Sequence, residues 1–346
     1  MPRLIHSRAP IRICDNGGWT DTWFARHGAI LHIAVHPSVE VQLKVAPNPD
    51  AAAPRIAVHA ENYGERFTIA EPAAPYTRQP LLEATIHYMK VPADAAIELT
   101  IHSDVPAGCS TGTSAAVTVA LIGALDRLTP GTLAPHQIAE AAHRIETELL
   151  GQQSGIQDQI AAAHGGINYV EMTEYPRATV TPLRLPDATL WELEGRLALI
   201  FVGLAHSSSE VHEMVIRELE GAGPDSPKLA PLRSTAAQSR NALLAADFDA
   251  LGRAMIANTY AQADLHPALI GADHQRIIEI ARAHGAIGWK VNGAGGAGGS
   301  VTLLSGPDRT QRREMLRAIA GTSAAYRNIP IALSATGLRV WETPLT

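Results

Sequence analysis

The stretch Val105-Pro106-Ala107-Gly108-Cys109-Ser110-Thr111-Gly112-Thr113-Ser114-Ala115-Ala116 constrains this chain more than any other. Ala96 to Ser103, just before it, alternates apolar and polar residues as a half-buried strand does. Val117 to Leu128, just after it, is apolar and alanine-rich, the pattern of a buried helix. Between strand and helix lie small residues, with Gly108 and Gly112 letting the backbone approach a ligand closely. The first N–H groups of a helix have no partner inside it and point back into such a loop. Together with the positive end of the helix dipole they favour an anion, most often phosphate. Thr113 and Ser114 add hydroxyls at the helix start. A plain strand–turn–helix with Ser/Thr capping has the same composition, so the loop alone does not decide the function. It lacks the Gly-Lys-Ser/Thr ending of a P-loop and the three-glycine spacing of a dinucleotide fingerprint.

Two further glycine loops flank it in the chain. Ser7 to Cys14 reads as a strand that runs into Asp15-Asn16-Gly17-Gly18-Trp19-Thr20-Asp21-Thr22. Arg12 and Asp21 bracket this loop, either as a solvated ion pair of little worth or as part of a site for sugar hydroxyls. Ala29–Val35 and Val39–Val45 read as paired strands joined across Pro37. Residues 135–150 have helical spacing, with Ile138, Ala142, Ile145 and Leu149 on one face. Glu146 falls late in that helix, where a carboxylate opposes the dipole: by default it is a solvated side chain, and otherwise it has a partner outside its own helix. Asp158 precedes a helix over 160–163 and is by default a cap or a dipole partner. A third loop, Gly293 to Gly299, has five glycines in seven residues, which no ordinary strand accommodates.

Taken together, these motifs resemble those of the GHMP small-molecule kinases. The second family motif has Pro, three variable residues, then Gly-Leu-Gly-Ser-Ser-Ala. Pro106, Gly112, Ser114 and Ala115 agree with it, while Ser110, Thr111 and Thr113 depart from it. Lys290 to Gly299 matches the third motif almost residue for residue. Gly17-Gly18-Trp19-Thr20-Asp21, followed by His27-Gly28-Ala29, resembles L-fucokinase and the heptose 7-phosphate kinases of the family. Gly155-x-x-Asp158-Gln159, with Glu146 twelve residues before Asp158, resembles galactokinase and the heptose kinases. The Glu-His pair that galactokinase carries ahead of its Asp is missing, which argues against galactose.

The resemblance implies an α+β, two-lobed fold, with a ribosomal-S5-like lobe over 1–185 and a ferredoxin-like lobe over 186–346. It implies phosphoryl transfer from ATP with Mg2+ as cofactor. Pro106, Gly108, Cys109, Ser110, Thr111, Gly112, Thr113 and Ser114, with Gly293 and Gly295, would hold the nucleotide. Ser114 and Glu146 would hold the metal, Asp158 would orient the acceptor hydroxyl, and Arg12 would lie beside it. Asn16, Gly17, Gly18, Trp19 and Asp21 would bind the sugar, with Trp19 either stacked on it or packed beneath the loop. The implied acceptor is a heptose 7-phosphate taken at its anomeric hydroxyl, with L-fucose or another free sugar as the alternative.

Composition narrows the remaining classes. A net charge of −6 with no basic patch argues against nucleic acid as a partner. The two cysteines, Cys14 and Cys109, lack metal-ligand spacing, and no apolar run reaches membrane-spanning length. No signal-peptide pattern opens the sequence, so a cytoplasmic enzyme is expected. The expected partner is a small-molecule sugar or sugar phosphate, and a homodimer is left open. A catalytically inactive sugar sensor on the same fold is the reading from another class. The presence of Ser114, Glu146 and Asp158 together favours the enzyme. The Ala/Pro-rich stretch 46–54 reads as a loop, and His206 to Ser209 as a helix start.

Overall fold

A computed structural model describes residues 3–48, 54–69, 73, 75–129, 132–203, 208–219 and 221–344. Most of the loop expected at 46–54, and His206 and Ser207 of the expected helix start, lie outside the described residues.

The chain begins with two long strands, β1 (Arg3–Asn16) and β2 (Gly28–Pro47), followed by β3 (Ile56–Ala60) and β4 (Glu65–Ile69). Helix α1 (Pro80–Met89), β5 (Ala95–Ser103), α2 (Thr113–Asp126), α3 (Pro135–Arg144) and α4 (Gln157–His164) come next, then the hairpin β6 (Ile167–Glu174) and β7 (Arg177–Pro182). The second half runs α5 (Asp187–Arg196), β8 (Leu197–Phe201), α6 (Ser208–Leu219), α7 (Leu229–Leu244), α8 (Phe248–Leu265) and α9 (Ala272–Ala283). It ends with β9 (Ala286–Val291), β10 (Ser300–Ser305), α10 (Arg309–Thr322), β11 (Arg327–Ile329), β12 (Ala332–Leu333) and β13 (Arg339–Pro344).

Two sheets result. The larger has the order β13-β1-β2-β5-β3-β4, with β6, β7 and β12 attached through β2; the smaller is an antiparallel β11-β8-β10-β9 sheet. The expected hairpin across Pro37 is instead one continuous strand. Residues 28–33 of β2 pair with β6, residues 39–47 pair with β5, and both halves pair with β1 across a register shift at Pro10/Ile11. Pro37 has no N–H to give a ladder, and it sits at this irregularity, where the strand changes partners rather than direction.

Helix α2 is apolar on every side because it is the buried axis of the first lobe: β1, β2, α1, α3 and α4 all pack on it. At Gly123 an added Cβ would stand 2.7 Å from Leu338, so the C-terminal segment also lies against this helix. The pattern expected as one helix over 135–150 is α3 followed by a π-helical turn, Ile145–Leu149, which carries Glu146. Helices α7 and α8 pack on each other, α7 against β2 and α8 against β9. They therefore tie the second lobe to the strand edges that carry the first glycine loop.

Candidate active site

A cavity of about 450 Å³ lies where the 105–116 loop, the end of β1, the start of α4 and the glycine turn after β9 meet. After β5 the chain turns through Gly108, Ser110 and Gly112, all with positive φ, and enters α2. Glycine adopts this region freely, whereas a residue such as Ser110 carries a cost of about 1–2 kcal/mol there. Two contacts hold Ser110 in place: its carbonyl accepts from Arg12 Nη1, and the backbone at Gly293 passes so near that a Cβ there would stand 2.9 Å from it. Gly112 is the N-cap of α2, and no side chain of the described residues caps this helix. The N–H groups of Thr113, Ser114 and Ala115 therefore lack intrahelical acceptors, and all three residues line the cavity.

Arg12 and Asp158 meet beside this helix end. Arg12 Nε donates to Asp158 Oδ1 at 2.8 Å and Nη2 donates to Oδ2 at 3.2 Å, a two-point fork. Arg12 is buried, while the Asp158 side chain is 28% exposed toward the cavity it lines. Burial lowers the Arg12 pKa, but Asp158 and Asp15 outweigh that effect and raise it. Helix α4 starts at Gln157, earlier than the expected 160, so Asp158 lies in its first turn. It does not cap that helix. Asp21 does: its Oδ2 accepts from Ile156 N at 2.9 Å and Gln157 N at 3.1 Å. Burial nevertheless pushes the Asp21 carboxyl up to about 6, the two N–H bonds opposing and the Asp158 charge adding.

Glu146 is buried on the cavity wall. Its Oε2 accepts from Ser154 Oγ at 2.7 Å and Gln159 Nε2 at 2.8 Å, while Oε1 has no partner among the described residues. Burial raises this carboxyl to about 7. A buried carboxylate oxygen without a donor is costly unless a cation or donor joins it. Ser114, at the open end of α2, also lines the cavity. Among the described residues, no group of three or more His, Cys, Asp or Glu converges as a protein-only metal cage.

Several expected site residues lie elsewhere. Asn16, Gly17 and Gly18 do not line the cavity. Asn16 Nδ2 donates to Ser239 Oγ at 2.7 Å and Gly17 N donates to Asn258 Oδ1 at 2.7 Å, so α7 and α8 take up the groups assigned to a sugar. Pro106 and Gly295 are also absent from the wall; a Cβ at Gly295 would lie 2.0 Å from the Leu269 carbonyl, a packing reason for that glycine. Trp19 is buried among Phe24, Val211 and Val215, edge-on to His212 with ring centroids 4.9 Å apart, and it also contributes to the wall. Arg12, Trp19, Asp21, Gly108, Cys109, Ser110, Thr111, Gly112, Thr113, Ser114, Glu146, Asp158 and Gly293 come together around the cavity.

Other wall residues are not among the expected site residues. Asp15 is buried, pairs with Lys290 Nζ at 3.3 Å and accepts from Gly293 N at 3.1 Å. Burial would raise its carboxyl, but Lys290 and Arg12 hold it below the ordinary range. Lys290 is thus a structural partner, buried away from the cavity wall. The end of the cavity beyond Gly108 is walled by Ala60, Leu81, Leu82, Ile101 and Val105, with Asn62 locked onto the Ser103 backbone in both directions. Short apolar residues from four separate segments give no sequence signal for such a wall.

Residues 80–166 match the profile of the GHMP kinases N terminal domain. The D-glycero-alpha-D-manno-heptose 7-phosphate kinase of Campylobacter jejuni is 30% identical over 242 residues, 70% of this chain and 69% of that one. This chain is a GHMP kinase. Mevalonate kinase of Thermococcus gammatolerans is likewise 30% identical, over 71% of this chain and 69% of its own. Among solved structures, a D-glycero-D-manno-heptose 1-phosphate kinase from Bacteriodes thetaiotaomicron superposes with a TM-score of 0.74 at 21% identity, covering 97% of this chain and 98% of that one. Lactococcus lactis galactokinase complexed with galactose gives 0.75 at 16%, over 97% and 95%. These structures share the two-lobed fold. As a GHMP kinase the protein is an ATP-dependent phosphotransferase acting on a small molecule. No described helix is long and apolar enough to cross a membrane.

Proposed function

We propose that this GHMP kinase transfers the γ-phosphoryl group of ATP to the anomeric hydroxyl of a sugar, with D-glycero-D-manno-heptose 7-phosphate as the first candidate. The Arg12–Asp158 fork beside the uncapped start of α2 carries the reading. Phosphoryl transfer depends on positioning and charge stabilisation more than on covalent chemistry. In this reading the free N–H groups of Thr113, Ser114 and Ala115 hold the phosphates and the dipole of α2 favours their charge. The apolar end lined by Leu81, Leu82 and Ile101 suits a nucleoside base.

Asp158 receives the acceptor hydroxyl. Each of its oxygens already accepts one bond from Arg12 and keeps a further lone pair for the hydroxyl proton. Arg12 fixes the carboxylate plane, and its charge is available to the transferring group. Asp21, Trp19 and Thr22 form the wall on the acceptor side. Ser114 and the unpartnered Oε1 of Glu146 are hard oxygen donors that fit Mg2+, which needs only one or two protein oxygens when phosphates complete its shell. When bound, the ion supplies neutralisation of phosphate charge.

The heptose relative supports the phosphorylated acceptor. One observation favours a free sugar such as L-fucose instead. Among the described wall residues on the acceptor side, Arg12 and His212 are the cationic or titratable bases, Arg12 being engaged by Asp158, while Gln152, Gln153 and Gln157 are neutral. A phosphate dianion calls for charge-assisted donors, whereas amides suit hydroxyls. ATP consumption measured with heptose 7-phosphate, unphosphorylated heptose and L-fucose under one Mg-ATP concentration separates the two. The highest kcat/KM is expected for heptose 7-phosphate; a higher value for L-fucose overturns that choice, and no turnover with any sugar overturns the sugar-kinase reading.

A further inference from the structure

The acceptor-side loop, from Asp15 to Gly28, is held from outside the cavity. Gly17 has φ +92°, and a Cβ there would stand 2.0 Å from the Ala29 carbonyl and 2.9 Å from Ala236 Cβ, so α7 packs directly on it. Its N–H donates to Oδ1 of Asn258, a residue of α8 that is 1% exposed. Thr235 Oγ1 of α7 lies 2.8 Å from the same oxygen. The neighbouring Asn16 amide donates to Ser239 Oγ, and Ser239 in turn donates to the Thr235 carbonyl at 2.8 Å. At the far end of the loop, Arg233 Nε donates to the His27 carbonyl at 3.1 Å and Nη2 to the Ala25 carbonyl at 3.2 Å. Between these anchors lie Trp19, Asp21 and Thr22, which line the cavity.

We propose that Asn258 is a positioning residue for the acceptor: through Gly17 it sets where Trp19 and Asp21 stand, and so governs affinity for the sugar without acting on the nucleotide. The identity of the acceptor side rests on the sugar-kinase reading above. Asn258, Thr235 and Ser239 do not line the cavity, and their hydrogen bonds among the described residues run to the acceptor loop and within α7 and α8, not to the 105–116 loop. A buried N–H left without an acceptor destabilises its own segment, and small misplacements of a site wall are amplified in binding. The loop's glycine at position 17 therefore serves a contact with α7 and α8, with the ligand two residues further on.

The test uses the full chain with Asn258→Ala, Asn258→Asp and Thr235→Val. Asn258→Ala removes the acceptor of the Gly17 N–H, and Asn258→Asp keeps an oxygen in its place. Backbone hydrogen exchange is read over residues 16–22 and over 106–116, and KM is measured separately for sugar and ATP. In Asn258→Ala we expect faster exchange confined to 16–22, and an acceptor KM about tenfold higher with the ATP KM within about twofold. Asn258→Asp should return both toward the parent. Thr235→Val should shift the same quantities in the same direction by less, and it carries the test if Asn258→Ala does not fold. Equal rises in both KM values, or unchanged exchange at 16–22, overturn the proposal. If the parent chain turns over no sugar, the sugar-kinase reading fails, and the exchange pattern, which needs no substrate, still decides the anchor.

Discussion

Asp21 combines two roles that pull against each other. One oxygen caps α4 through Ile156 and Gln157, and burial still raises the carboxyl to about 6. Its pKa lies above that of an unfolded aspartate, so the folded state binds the proton more tightly. That contribution to stability is complete below about pH 3.8 and is lost as the pH rises through about 6. In thermal melts, the advantage of the parent over Asp21→Asn should shrink between pH 4 and 7; an advantage that grows over that range contradicts this account. Acceptor KM of the parent should fall as the pH rises past 6, and Asp21→Asn should flatten that dependence. Glu146 makes a separate prediction. Its Oε1 lacks a partner, so Glu146→Gln should weaken Mg-ATP by about tenfold or more while metal-free ATP changes little. Equal losses with and without magnesium, measured by calorimetry, would remove Glu146 from the metal.

Among the elements, those defined by their own periodicity were readable from the chain. β5, α2 and the loop between them follow from alternation, an apolar run and two glycines. Elements defined by partners were not. The strands expected to pair across Pro37 are one strand, because β5 and β6 compete for different parts of its edge. The 135–150 helix ends in a π turn, which local spacing does not reveal. The three glycine loops reach one cavity, yet individual glycines serve different ends. Outside those loops, Gly155 serves the carboxylate next to it: a Cβ there would stand 2.1 Å from Asp21 Oδ2. Gly155→Ala should displace the carboxylate, costing about 1–3 kcal/mol of stability by overpacking. Acceptor KM should rise more than ATP KM; an unchanged acceptor KM would show that Asp21 does not set that wall.

Across the whole molecule, the site depends on contacts between the halves of the chain. Ser300 Oγ donates to the Cys109 carbonyl at 2.6 Å, Asn292 Oδ1 accepts from Cys14 N at 3.1 Å, and Lys290 pairs with Asp15. The second lobe thus fixes both the 105–116 loop and the end of β1. β12 and β13 return to the first sheet beside β2 and β1. None of these pairings has a local signature, since each joins residues more than a hundred positions apart; the resemblance placed the motifs, and packing decided which members face the cavity. What the assembled site is claimed to do is move a phosphoryl group from ATP to a hydroxyl held at Asp158. The direct measurement compares the parent with Asp158→Asn for sugar phosphorylation, ATP affinity and melting temperature on the same preparations. Turnover is expected to fall by about 10²-fold or more while ATP affinity and melting temperature stay near the parent values. A variant that retains near-normal kcat would contradict that claim.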